Sequence, residues 1–458
     1  MTGGTQDSGD GRFLSRHRHG VVLQGGGGTR GATSDGAGGG LRNGGMNMRR
    51  SRLGRWFLVG LVSCAPGCGR GRAPREQPVP APSPRPSPAP AGSAEPDLAA
   101  RDGSVVLSWL ARGSGTYALQ YAVLEDDGWS AHRTIASGES LFANWADFPS
   151  VVPLAGGAMA AHWLRKHGPG KFAYDVLVAR SPDGASWPSG SMPHRDGVAA
   201  EHGFVSLVPD ASGGLTAVWL DGRMFAGKEE SDPSVQTQLR AADLRSGGFG
   251  DEMLLDDRVC DCCQTAAVRT RRGMLVAYRD RSPDEIRDIW LVRRDGDRWL
   301  EPYRLAADGW LIQGCPVNGP ALAGRGDSVV VAWFTEAGDT ARVQVAFSGD
   351  GGASFSRSVR VDEGKPFGRV DIAFLPNGDA IVVWMETTGG GRAAVRGRRL
   401  RRDLGAGPAF SVATTTAARA SGFPRVTLAG ETVWFAWTSD TDPPQVQIAS
   451  LPLPGPRR

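Results

Sequence analysis

Seven apolar runs of strand length, each closing on an aromatic residue, recur along the chain at nearly constant intervals. Trp109, Trp163, Trp219, Tyr278, Trp333, Trp384 and Trp437 mark them, at spacings of 54, 56, 59, 55, 51 and 53 residues. Runs such as Val105 to Leu110 and Ser328 to Phe334 are almost unbroken in apolar character, which suits strands buried on both faces. A Gly-containing turn and a short strand precede each run, as at Pro149 to Leu154 and Val370 to Phe374. A second strand with polar and apolar residues alternating follows, as at Tyr117 to Leu124 and Arg342 to Phe347. No segment between 97 and 451 carries a helical period.

A single small sheet cannot cover two apolar faces. Sheets stacked around an axis cover each other and leave few edges. The pattern therefore predicts an all-β chain, a β-propeller of four-stranded antiparallel blades spanning 97–451. Seven aromatic positions favour seven blades. The last unit has no outer strand after Leu451, so either a strand from the N-terminal side closes the ring or degenerate end units reduce the count to six.

Composition matters mainly before residue 97. Residues 1–95 hold 13 Arg, no Lys and 5 acidic residues, so the chain's net +4 conceals a propeller region at −4. That distribution excludes nucleic-acid binding, which needs a basic patch on the folded part. Residues 1–45 are Gly-rich with little to bury, and read as disordered or as an over-extended start. Arg49, Arg50, Arg52 and Arg55 then precede a short apolar core, Trp56 to Val62, and Leu61-Val-Ser-Cys64. The segment 46–63 is similar to a bacterial lipoprotein signal, which implies lipidation of Cys64, export and anchoring to the cell envelope. An ordinary signal peptide or membrane anchor also fits, and either exports the chain. Residues 64–96, dense in Pro, Ala and Ser from Pro74 on, read as an extended tether, and 452–458 as a tail.

The turn after Arg342 to Phe347 carries the most specific motif. Ser348-x-Asp350-x-Gly352-x-Ser354-Phe355 resembles the Asp-box of the sialidase (BNR-repeat) superfamily, and Ser181-Pro-Asp183-Gly-Ala-Ser-Trp187 is a shortened copy. Vestiges occur at Asp295 to Trp299 and Asp126 to Trp129. The resemblance implies a propeller in which these boxes fold the turns between outer strands, the Asp accepting backbone hydrogen bonds and the aromatic ring packing inside. For a sialidase it further implies three arginines gripping a carboxylate, an acid/base aspartate and a late tyrosine nucleophile. Here no tyrosine lies beyond Tyr303 and no Arg-Ile-Pro motif marks the first blade, so the hydrolytic set is incomplete.

Strand order puts the blade entries and the loops between second and third strands on the rim opposite the Asp-boxes. On that rim Arg279, Arg369 and Arg425 are expected as grips for an anionic ligand such as an acidic glycan, with Arg223, Arg281 and Asp221 as further contacts. Asp280 and Asp371 are the acid/base candidates. Trp145, Trp310 and Phe423 can stack on sugar rings or pack between blades. For each charged residue the competing reading is a solvated or blade-bridging ion pair.

Four cysteines, Cys260, Cys262, Cys263 and Cys315, fall on the same rim. In an exported chain an even number favours disulfides, with Cys262 or Cys263 joined to Cys315. A soft-metal or redox site is the sharper reading, for which copper(I) or zinc suits; no cofactor is firmly implied, and His202 is the one histidine near the rim. A non-catalytic scaffold that docks an envelope protein at the propeller mouth is the third functional reading.

Overall fold

The computed structural model describes residues 80–453 apart from 127, 211, 212, 229–231 and 233. The signal segment, Cys64 and most of the tether lie outside the described residues. Among those described, regular structure is strand, with four short 3-10 turns.

The strands make seven antiparallel sheets of four or five strands. Their inner strands are Ser93–Arg101, Ser150–Pro153, His202–Pro209, Ala266–Arg269, Ala321–Arg325, Pro366–Phe374 and Arg425–Ala429. They neighbour one another in that order, and the last returns to the first, which makes the body a β-propeller. Each aromatic position of the repeat lies on the second strand of one sheet.

The core is divided into clusters that bridge neighbouring sheets. Val330, Ala332 and Val345 of the fifth sheet pack on Ile372, Val382 and Trp384 of the sixth. Leu107 and Trp109 of the first pack on Ala436 and Ile448 of the seventh. Apolar burial therefore holds sheet to sheet around the whole ring. Trp109, Trp219, Trp333 and Trp384 are fully buried, and each indole N–H finds an acceptor: Gln120, Asp221, Asp308 and Glu386. Such partners remove the cost of burying the polar edge of a large ring.

The seventh sheet is completed by Ser83–Arg85, which pairs with Val446–Pro452 in the register Ser83↔Ser450 to Arg85↔Ile448. Arg85 Nε donates to Ser450 Oγ at 2.8 Å. The ring thus closes with a strand from the N-terminal side, and the folded part starts before the expected boundary at 97. Pro84 explains why composition concealed this strand: proline lacks a backbone donor, but an outermost strand needs donors on one side only.

At the Asp-box, Ser348 Oγ donates to Asp350 Oδ1 at 2.7 Å, and Asp350 accepts Ser354 N at 2.9 Å and Ser354 Oγ at 2.6 Å. Gly352, at φ 85°, sits so close to Leu275 that a Cβ would meet Cδ2 at 2.7 Å, while Phe355 packs between the fourth and fifth sheets. In the shortened box Asp183 accepts Ser181 Oγ and the amides of Ala185 and Ser186, and Trp187 meets Tyr121 edge to face. These bonds hold both carboxyls down at about 2.

Candidate functional site at the channel mouth

Three inner strands begin with the same irregularity. Register shifts fall at Ala94/Asp97, Gly203/Ser206 and Gly368/Asp371, and the residue inside each bulge has positive φ: Glu95 at 49°, Phe204 at 55° and Arg369 at 54°. The bulge re-aims the strand, and the residue two places on lines the central channel. Asp97, Ser206 and Asp371 are placed this way. Arg425, two places after Phe423, lines it too.

The channel cavity, about 200 Å³, is lined from every inner strand or its entry. Arg425 is its cation: Nη2 lies 2.8 Å from Asp97 Oδ1, and Nε lies 3.5 Å from Asp371 Oδ2. Its guanidinium also stands 5.1 Å over the half-buried Phe148 ring. Asp371 accepts Val426 N at 2.8 Å, and burial pushes its carboxyl up against the pull of Arg425. Asp147 accepts Phe204 N at 2.7 Å and the Tyr174 hydroxyl at 3.0 Å. Burial outweighs both bonds and raises it to about 7. His162 meets Ser150 Oγ at 2.8 Å, and burial lowers its pKa to about 3, so the ring is neutral.

Of the expected site residues, Arg425 and Asp371 reach this cavity. Arg279 does not, because its guanidinium donates to the carbonyls of Asn318, Arg287 and Phe334 at 2.9, 2.6 and 2.7 Å and stacks 4.8 Å from the Trp310 ring. It laces the fourth sheet to the fifth. Arg369 is likewise buried: Nη1 donates to Ala418 O and Gly422 O, and Trp145 and Phe367 flank the cation at 4.7 and 5.2 Å. Burial lowers its pKa to about 10. Arg281 is held by Glu285, at 2.9 Å. The expected triple grip is therefore not assembled. Trp310 is a buried packing group, and Phe423, buried and stacked on Trp145, borders the channel cavity.

Asp221 and Arg223 belong to a separate buried charge cluster between the second and third sheets. Asp221 accepts Trp219 Nε1 and is paired with Arg223 at 2.6 Å, while Arg223 also reaches Asp196 and Glu252. His202 Nε2 lies 3.0 Å from Asp196 Oδ2, and its ring stacks on His194 at 3.9 Å, tilted by 3°. Burial holds His194 down to about 4; for His202 the carboxylates of Asp196 and Asp221 outweigh burial and raise it.

Asp280 lies away from Asp371, beside the cysteines, where burial and the nearby Asp256 raise it to about 7. All four cysteines are free thiols, so the expected bridge to Cys315 is not formed. Cys260 Sγ is 3.0 Å from Cys263 Sγ and 3.8 Å from Cys262 Sγ. Arg287 Nη1 donates to Cys260 Sγ and to Asp261 Oδ1, both at 3.3 Å. Burial pushes the Cys260 thiol up, but its sulfur neighbours and Arg287 more than offset this and hold it well below the ordinary value. Burial dominates at Cys262 and Cys263 and pushes both up. The same entry segment continues through Gln264 and Thr265 into the channel wall.

Residue patterning does not single out Asp97, Asp147, His162 or Tyr174. A signal existed: Ala94-Glu-Pro-Asp97, Gly203-Phe-Val-Ser206, Gly368-Arg-Val-Asp371 and Gly422-Phe-Pro-Arg425 repeat one entry tetrad whose last member faces the channel.

No protein-family model and no curated protein matches the chain. Among solved structures it is similar to a protein of unknown function from Dyadobacter fermentans, at 15% identity over 69% of this chain and 97% of that one, with a TM-score of 0.48. The polysaccharide lyase Uly1 is similar at 8% identity over 78% of this chain and 90% of that one, TM-score 0.48. A Trypanosoma rangeli sialidase is similar at 12% identity and TM-score 0.44, over 71% of this chain and 56% of that one.

Proposed function

We propose that this protein is an exported, lipid-anchored propeller that binds a carbohydrate at its channel mouth. One observation carries the reading: the channel cavity gathers carboxyls, hydroxyls, an amide and a guanidinium from all around the ring, beside the Phe148 ring. Alternating donors and acceptors beside an aromatic face suit a polyhydroxylated ligand. The charge balance argues for a neutral sugar. Arg425 is already shared by Asp97 and Asp371, and Asp147 adds a third carboxyl, so a carboxylated sugar meets no free guanidinium there.

Saturation-transfer NMR with a panel of neutral and acidic oligosaccharides tests this. Contacts with neutral sugars that vanish in Asp371→Asn support the proposal; no contact with any sugar, or preference for sialosides, overturns it. Cleavage is a second reading, favoured by two carboxyls lining one cavity: burial raises Asp147 to about 7 and pushes Asp371 up as well, and glycoside cleavage draws on an acid and a second carboxyl. Turnover of fluorogenic glycosides, lost in Asp147→Asn and in Asp371→Asn, is its expected signature. The anchor rests on the basic and apolar run before Leu61-Val-Ser-Cys64. Cys64→Ala is expected to release the protein from membranes, and retention would remove that part of the proposal.

A further inference from the structure

The carbohydrate reading leaves the cysteine-bearing entry to the fourth sheet without a role. We infer that Cys260, Cys262 and Cys263 form a three-sulfur site for one copper(I) ion, and that Cys315 is the surface thiol through which the ion enters.

Three ligand sulfurs from four consecutive residues converge within 4.8 Å of one another. A metal about 2.3 Å from each sulfur sets them about 3.8–4.0 Å apart. The Cys260–Cys262 separation of 3.8 Å already meets this, and Cys260–Cys263, at 3.0 Å, has to open by less than about 1 Å. The donor set is soft: among the described residues, neither potential metal-ligand group containing these cysteines includes a histidine. The nearest carboxylate, Asp261, is engaged by Arg287 at 3.3 Å.

Coordination number separates the candidate ions. Structural zinc is almost always four-coordinate, whereas thiolates also select copper(I), which accepts fewer donors. Cys315 groups with Cys262 and Asp261, not with Cys260 and Cys263, so a fourth sulfur is not in place. Burial then gives the path inward. Cys315 is exposed, Cys262 half-buried, and Cys260 and Cys263 buried, so an ion can pass between sulfurs by ligand exchange from surface to interior. Arg287, itself buried, supplies positive charge that helps three thiolates to coexist. Binding is not a redox step: each thiol gives its proton to solvent as its sulfur bonds the ion, and copper stays in the +1 state throughout.

The test uses the reduced full chain under anaerobic conditions, titrated with copper(I) against bicinchoninate as the competing chelator. One copper retained per chain, with three sulfur neighbours by X-ray absorption, is expected. Cys263→Ser should weaken retention about 100-fold or more. Because Cys263 is buried, the half-buried Cys262→Ser is measured alongside, each variant being checked by circular dichroism. Cys315→Ser should keep stoichiometry and affinity while loading slows several-fold. Failure to retain copper(I), a four-sulfur zinc site that includes Cys315, or unchanged retention in folded Cys262→Ser overturns the inference. None of these readouts depends on sugar binding at the channel.

Discussion

The channel mouth and the cysteine corner adjoin each other on one rim, and their chemistry diverges within three residues. At the mouth, hard oxygen and nitrogen groups from many sheets meet, and carboxyls outnumber the guanidinium: Arg425 stands between Asp97 and Asp371, and burial raises Asp147 to about 7. At the corner, soft sulfur from a single turn is gathered against a buried guanidinium. A propeller entry loop is thus a neutral frame. Bulge and turn decide which side chains face the channel and which are sealed between sheets. Arg369 and Arg425, one at a bulge position and the other two places beyond the equivalent residue, show both outcomes for the same residue type.

The sharpest way to break this contrast is Arg279→Ala, which leaves three interior carbonyls without their donor beside the cysteines. A loss of about 3–5 kcal/mol is expected in denaturant unfolding. An unchanged midpoint would show that Arg279 is not the lace between the fourth and fifth sheets.

The mouth is sharpened by pH. Asp147 binds its proton more tightly folded than unfolded, so its contribution is fully present below about pH 4 and is lost as pH rises to about 7. Relative to Asp147→Asn, the natural protein should therefore lose on the order of 3–4 kcal/mol across that window. His162 has the opposite sign. Its depressed value means that stability is full above about pH 6.5 and lost as pH falls towards 3, and His162→Gln should remove that acid-side loss. Flat differences in unfolding series at pH 4, 5.5, 7 and 8 would contradict both assignments.

The far rim supplies a control. Asp350→Ala removes an acceptor of three hydrogen bonds in a turn, and should cost about 1–2 kcal/mol while leaving sugar and copper binding unchanged. The smallest effect belongs to Cys315→Ser, whose exposed side chain should alter stability by less than about 0.5 kcal/mol. A larger change in either folded variant, read by thermal unfolding, would mean that the rims are coupled.

The repeat was legible because a strand buried on both faces has to be apolar along its length, as Val329 to Phe334 is. The cysteine cluster was legible because its members crowd into one short segment. The mouth was not, since whether Arg369 faces the channel depends on a bulge and a positive φ that its type does not encode. Arg279 misled for a related reason: a residue suited to gripping a ligand carboxylate is equally suited to gripping backbone carbonyls. Ser83–Arg85 was hidden by a proline content that an edge strand tolerates.

That three-residue strand has a mechanical meaning. It is the first strand of the described chain and lies against the last, so any tension arriving along the backbone from before Ser83 reaches the ring at its seam. The pairs with Ser450, Ala449 and Ile448 would be the first to bear that load. A protein held at its N-terminal end would in this way be gripped by the clasp that keeps its circle shut.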